Sequence, residues 1–525
     1  MATIQDSKRS PGSPSRRGDR GGYSHGLGAH LSRLAEGKRV LIGSGCWRVH
    51  RVDLDRCGAV PPEIAAIGVP AALGVWAQQL GVGHGEYFLL GPRGFPDVRV
   101  NSFLRSAKFK LLAATTQLAY VHSLALWLNF LETRGCPWWQ ADDEHAEDFE
   151  FWRLTDPANM ATVATSTFTK DVAACKKFYA WTARRYADVA DVFAEVEFPR
   201  ARREASVKWL DPAAWERWRD VGLRGRDLSG RRDRAWRGRH EQRDAAFADG
   251  LFSTALRLSE WASVVVPELP RPEAGRGFYT CVLADKCAKG GYGHPYWITR
   301  RALSAVWSYV EGARARVVRR AQAAGVYDRP GMIVVDVDRR RGAVMMQDET
   351  TGRQVLRRWN VIPPAVRRTM LMRTPVGLEP VGLWLNEDGM PRDSHAWHHS
   401  FETANDRVAA LGLSDFHVTP HMARHSAALQ WFSLGRLVYG KQIGHLNEEE
   451  TRDFRGQFGD TWDLTQTILG HRRVETTKTV YLEPFRNLSV ETLMAHLEGL
   501  DIKQYLAEVF VNHPKVISDP VGRQR

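Results

Sequence analysis

The sequence predicts a mainly helical protein with a small β component, built as a helical domain followed by a larger mixed α+β domain. Three observations lead there. Between residues 101 and 198 apolar side chains recur three and four apart, Leu118, Val121, Leu124, Leu128 and Leu131 in one run, then Phe168, Val172, Cys175, Phe178 and Tyr179. That is the spacing of amphipathic helices. Short β-rich runs (278–283, 296–299, 332–346) alternate with helical ones in the second half. Finally, 525 residues exceed what one core holds, so two or three domains are expected.

In chain order, residues 1–35 are rich in Ser, Pro, Gly and Arg without apolar periodicity and read as a disordered basic leader. Residues 36–98 hold apolar patches broken by Gly and Pro, to which no activity is assigned. The helical domain covers 99–200, and Lys108, Lys110, Lys170, Lys176 and Lys177 give it either a DNA-facing or a merely solvated surface. A basic stretch, 199–208, leads to the second domain, 206–490, opened by Asp211 as helix N-cap and Pro212 as first helical residue. The Arg- and Gly-rich run 224–243 reads as a flexible insertion, with phosphate contact as the alternative. A helix over 244–262, a β-hairpin, a helix over 302–322, β-rich runs to 346 and then mainly helices follow. Residues 491–525 form a helical tail, whose amphipathic stretch 488–511 either packs on its own domain or docks on a neighbouring subunit.

Lys and Arg exceed Asp and Glu by 73 to 60, a formal +13 with a pI near 9.6, which suits a polyanionic partner without proving one. The six cysteines show no C-x-x-C pair and no zinc spacing, as expected of a reduced, cytoplasmic chain. No apolar run is long enough to span a bilayer, so no membrane partner is expected.

Four segments carry candidate chemistry. In 254–261 (TALRLSEW) Glu260 follows Arg257 by three residues, close enough to hold its guanidinium. In 285–299 a Lys-Gly-Gly turn puts Lys289 at a hairpin tip. In 418–435 Thr419 fits an N-cap, Pro420 the first helical position and Gly435 a C-terminal stop. His421 and Arg424 then share the helix's first turn, where backbone N–H groups and the macrodipole favour an anion. In 464–485 a helix stops at Gly470, His471 follows, and Tyr481 lies ten residues after His471. Taken singly, each segment has a structural explanation: an ion pair, a solvated lysine, a core histidine, a packing tyrosine.

The ordered set Arg257, Lys289, His421, Arg424, His471 and Tyr481 resembles the signature of the tyrosine recombinase, or phage integrase, family, with segments matching over roughly 206–490 and a core-binding domain before them. The resemblance implies a site-specific recombinase that cuts and rejoins double-stranded DNA at specific attachment sites through a 3′-phosphotyrosyl bond to Tyr481. It further implies His421 as base, Arg257 and Arg424 as phosphate clamps, Lys289 as acid, His471 as hydrogen-bond donor and Glu260 in a supporting part. A homotetramer on DNA, an accessory directionality factor, a nucleoid location and a mobile-element role come with the same resemblance. No clustered carboxylates at metal spacing and no G-x-x-x-x-G-K-[ST] loop accompany these residues, so neither metal nor nucleotide cofactor is expected. Three departures stand out: family members often place the tyrosine nine residues after the histidine rather than ten; 436–462 lengthens a connection and includes a second I-G-H, ending at His445 after Tyr439; and 325–375 exceeds a minimal catalytic domain. Two alternatives remain, a type IB topoisomerase and a non-catalytic DNA-binding regulator that keeps the fold.

Overall fold

The computed structural model describes residues 45–54, 73–79, 81–194, 208–348, 351–443 and 516–521, with 196, 198 and 449 singly. The leader, His471, Tyr481 and the stretch 488–511 lie outside the described residues. The chain divides into two compact units, 1–203 and 204–525. It is mainly helical with small sheets.

In the first unit, β1 (Arg48–Arg51), α1 (Leu73–Gln79), β2 (Tyr87–Leu90), α2 (Val98–Leu104), α3 (Ala107–Lys110), α4 (Ala114–Thr133), α5 (Asp143–Leu154) and α6 (Thr165–Thr182) follow in order. Trp127 of α4 is fully buried, and its indole donates to the Tyr179 hydroxyl of α6 at 3.1 Å, which itself donates to the Trp138 carbonyl at 2.7 Å. Asp171 of α6 accepts from Ser123 at 2.7 Å and from Arg153 at 3.1 Å, tying α4, α5 and α6 through one buried carboxylate. The antiparallel pair β1–β2 belongs to this same core, ahead of residue 99, where the sequence reading begins the domain: Trp47 and Leu89 are buried in it. Two asparagines on the helices complete the strands' backbone bonding. Asn101 serves both polar groups of Leu89 (2.8 and 2.9 Å) and Asn129 those of Trp47 (2.7 and 3.1 Å), satisfying main-chain groups that burial would otherwise leave unpaired.

The second unit runs β3 (Trp209–Leu210), α7 (Pro212–Gly222), α8 (Glu241–Thr254), α9 (Leu258–Ala262), β4 (Phe278–Val282), β5 (Pro295–Thr299), α10 (Arg300–Tyr309), a π turn (Val310–Arg314) and α11 (Ala315–Ala323). Then come β6 (Ile333–Asp338), β7 (Ala343–Gln347), β8 (Gln354–Arg358), α12 (Pro364–Arg367), β9 (Met370–Thr374), β10 (Gly377–Pro380), α13 (Ala396–Ala410), α14 (Pro420–Ile443) and β11 (Val516–Ile517). Asp211 caps α7 as its spacing predicts, accepting from Ala214 N at 2.6 Å ahead of Pro212. Tryptophans 215, 218, 261, 384 and 397 build the core around α8. Asn405 of α13 knits that core to the segment entering α14: it accepts from the Trp218 indole (2.8 Å) and Val418 N (2.9 Å) and donates to the Val418 carbonyl (2.9 Å). The C-terminal strand β11 pairs in parallel with β3, and Asp519 takes two bonds from Arg217 (3.2 and 3.0 Å).

Four sequence expectations change. The helix expected over 244–262 is two helices, because Ala255 adopts φ 55° and ends α8. Such a left-handed non-glycine residue costs roughly 1–2 kcal/mol, and local bonding described below offsets it. Gly435 does not stop its helix; α14 continues to Ile443, since a glycine inside a helix lowers its stability by only about 1 kcal/mol. The β-rich region does not give way to helices after 346 but forms a five-stranded sheet, order β10-β9-β6-β7-β8, with β6 and β9 parallel. And 224–243 is packed down at its centre: the Trp236 ring lies under Arg407 at 4.8 Å and Asp233 accepts from Arg407 at 2.7 Å. Gly225, at φ 65°, sits so close to that ring that a Cβ would lie 2.2 Å from it.

The five-stranded sheet covers the excess 325–375 noted in the sequence. Val335, Val344, Met346, Trp359, Ile362, Met370 and Val381 bury its inner face against Val265. Buried Arg367 fixes it to the residues just after α9, with a two-pronged pair to Glu268 (2.8 and 2.9 Å) and bonds to the carbonyls of Ser263, Trp359 and Ile362.

Candidate active site

Glu260, at 0% exposure, is the centre of the site. One carboxylate oxygen accepts from the Arg257 backbone N–H at 2.8 Å, and the other from the Arg257 guanidinium at 2.8 Å and the Lys289 backbone N–H at 3.1 Å. The Arg424 guanidinium lies 3.8 Å from the first oxygen. Burial by itself would raise the Glu260 pKa, but Arg257 and Arg424 together with the bonds from Arg257 outweigh it and hold the carboxyl below its usual range.

The backbone break puts Arg257 in this place. As N-cap of α9, rather than inside a helix, it points its backbone N–H and guanidinium at the carboxylate three residues on. Arg424 comes from the first turn of α14, which Thr419 caps by accepting from Met422 N at 3.2 Å. Its guanidinium, 1% exposed, donates to the carbonyl of Ala255, so the left-handed residue is held by one candidate site residue and lies two residues before another, Arg257. Lys289 lies exposed in the connection between β4 and β5, beside Gly290 and Gly291 at φ 86° and 73°. That connection is anchored by Asp285, whose backbone N–H donates to Asn360 Oδ1 at 2.7 Å and whose carboxylate accepts from Asn360 Nδ2 and from Gly293 N (2.7 Å). Asn360 belongs to the turn after β8, so the extra sheet touches the Lys289 loop directly.

His421 stands at the mouth. Desolvation, then the charges of Arg424, Arg257 and Lys289, hold its imidazole below the ordinary histidine value, which favours the neutral form. Its ring meets that of His425 edge-on at 4.2 Å. Thus Arg257, Lys289, His421 and Arg424 converge around Glu260, while His471 and Tyr481 lie outside the described residues. Arg257, with 28% of its side chain exposed, is the guanidinium open to solvent, and Arg424 adds its charge from one layer beneath. Arg257, Arg424 and Lys289 around one buried carboxylate leave a net positive charge, an electrostatic setting that favours an anion. Among the described residues no cluster of His, Cys, Asp and Glu could hold a metal ion, and no helix is long and apolar enough to cross a membrane.

Sequence reasoning did not foresee the full weight of Glu260, nor Asn360 and Arg367. The Glu260 spacing was a usable signal; nothing marked the other two.

Residues 101–186 match the phage integrase N-terminal SAM-like domain. No curated protein matches the sequence. Among solved structures the chain is similar to the XerH site-specific recombinase bound to difH substrate (10% identity, TM-score 0.38, covering 76% of this chain and 86% of that one). It is similar also to the Tn1549 transposon integrase in complex with circular intermediate DNA (12%, 0.37, covering 76% and 97%). A third is a lambda integrase dimer bound to a COC′ core site (12%, 0.34, covering 86% and 98%). Residues 101–186 of the first unit are thus similar to a phage integrase SAM-like domain, and they precede the Arg257, Lys289, His421 and Arg424 set of the second unit.

Proposed function

We propose that the protein is a site-specific recombinase that cleaves and rejoins double-stranded DNA through a covalent 3′-phosphotyrosyl intermediate on Tyr481. The observation that carries this reading is the convergence of Arg257, Lys289, His421 and Arg424 on the buried Glu260 carboxylate. In the first step the Tyr481 oxygen attacks phosphorus and the bond to the 5′-oxygen breaks. The phenolic proton passes to neutral His421, and Lys289 supplies the proton that the departing 5′-oxygen takes up. Arg257 grips the non-bridging oxygens through its planar fork, Arg424 deepens the positive potential behind it, and His471 donates a hydrogen bond. The phosphotyrosyl ester conserves the bond energy, so religation by an incoming 5′-hydroxyl reverses each proton transfer and consumes no nucleotide. Exchange between two duplexes calls for a homotetramer at paired attachment sites, with an accessory factor setting direction, as in integration or excision of a mobile element.

The test is covalent trapping on genomic and element DNA. Wild type is expected to form a denaturant-resistant adduct at defined sequences, while Tyr481→Phe binds DNA and forms none. An adduct in Tyr481→Phe assigns the nucleophile elsewhere, Tyr439 included. Supercoil relaxation without strand exchange would identify a type IB topoisomerase, and sequence-specific binding without cleavage a regulator.

A further inference from the structure

At the opposite end of α8 from Arg257 lies a second concentration of positive charge. Two adjoining cavities of about 530 and 560 Å³ open there, each lined by five arginines, with Arg239 and Arg316 common to both. One wall is the 224–239 loop, contributing Arg226 and Arg232; the other is α11, contributing Arg316, Arg319 and Arg320. The walls have fixed supports. The loop is pinned through Trp236 and Asp233 to Arg407. The Gln242 amide at the start of α8 bonds both the Ser308 carbonyl (2.8 Å) and Ala313 N (3.0 Å), joining α8 to the π turn ahead of α11. Such turns shift the helical register, and here the α11 arginines that follow face outward.

We infer that this cleft is a second nucleic-acid site, one that holds the phosphate backbone of a DNA segment other than the one at Glu260. The reasons are charge, chemistry and distance. Arg232, Arg316, Arg319 and Arg320 are exposed and have no ion-pair partner among the described residues. The carboxylates in the lining are Glu241 and Glu387, and Glu387 is already paired with Arg239 at 3.2 Å. A protein partner anchors on buried aromatic or aliphatic side chains, yet none of the exposed large apolar side chains lines either cavity. A phosphodiester chain needs only guanidinium forks at intervals, and it draws affinity from counterion release rather than apolar burial. The 14 residues of α8 set the cleft about 21 Å from Arg257, roughly a duplex diameter away, so one phosphate cannot serve both. The inference rests on the recombinase reading only in naming DNA as the polyanion.

The experiment measures binding of the full-length protein to a fluorescent 30-base-pair mixed-sequence duplex across a salt series. Arg316→Ala/Arg319→Ala/Arg320→Ala should lower the slope of log affinity against log salt by about 2–3, since each phosphate contact contributes roughly 0.9. Arg226→Ala/Arg232→Ala, on the other wall, should lower it by about 1–2, an independent check should the triple variant fold poorly. Tyr481-dependent adducts should persist in both. An unchanged slope in both variants, with wild-type binding and adducts intact, overturns this inference alone. Loss of poly-glutamate binding in the variants without loss of duplex binding overturns it in favour of an acidic protein partner. Wild-type protein that binds no duplex overturns this inference and the recombinase reading together.

Discussion

The two ends of α8 carry positive charge in opposite ways. At its C-terminal end, cations from three separate segments are gathered on one buried carboxylate, and each position is fixed by a named bond: Arg257 as helix N-cap, Arg424 through Ala255, Lys289 through its backbone N–H. At its N-terminal end, guanidiniums stand exposed along a loop and a helix face with little acidic counterweight. The first arrangement fixes direction as well as charge, which a reaction centre requires. The second fixes charge alone, which suffices to hold a backbone in any sequence and at several registers. A carboxylate buried beneath cations therefore separates the proposed reaction site from the proposed backbone-holding site.

The sharpest way to break this comparison is to remove the carboxylate. Glu260→Ala removes the carboxylate that sits between Arg257 and Arg424 and frees the Lys289 N–H, so we expect a loss of about 3–5 kcal/mol in denaturant unfolding. A loss below 1 kcal/mol would mean that the cations hold their places without Glu260. A smaller effect is expected with pH. His421 has a folded pKa below its unfolded value of about 6.5, so its contribution is complete above that value and is lost as pH falls from there through the folded pKa. Glu260 has the same sign at lower pH, with loss beginning as pH falls past about 4.3. Unfolding free energies measured from pH 8 to 2 should show both declines, and His421→Asn should abolish the upper one; an unaltered profile would place the titrating group elsewhere. Smallest of all is Arg319→Ala in the arginine cleft, where no ion pair is lost and stability should stay within about 0.5 kcal/mol of wild type by thermal melt. A larger loss would show that the cleft is a structural element after all.

How much of this was legible in the sequence follows from the range of each interaction. Asp211-Pro212 and Thr419-Pro420 could be read because capping is local, settled within three residues. The Arg257–Glu260 spacing could be read for the same reason, though the helix between them was drawn too long. The left-handed Ala255 could not, because nothing in TALRLSEW forbids a continuous helix; the carbonyl bond that holds the break comes from Arg424, 169 residues away. Arg367 and Asn360 were equally hidden, since their partners Glu268 and Asp285 lie 99 and 75 residues off. Of the five-stranded sheet, β6 and β7 showed as the β-rich run 332–346, and the rest only as surplus length. The strands β8, β9 and β10 are short, and one of them, β8, is largely exposed, so their hydrophobic pattern is thin.

The clasp between Asn360 and Asp285 sets a limit on travel. The connection from β4 to β5 is held at Asp285, by Asn360, and again at Gly293, whose N–H bonds the same aspartate. Lys289 sits midway, four residues from either hold. A four-residue span reaches at most about 14 Å when fully stretched, and both spans meet at one aspartate, so the lysine backbone swings on a loop with a single root. When Lys289 leaves the N–H bond to Glu260, it can sweep an arc of that radius and no more. The reach of Lys289 is thereby bounded, and the root of the arc is set by the turn of the five-stranded sheet rather than by the two strands that carry the loop.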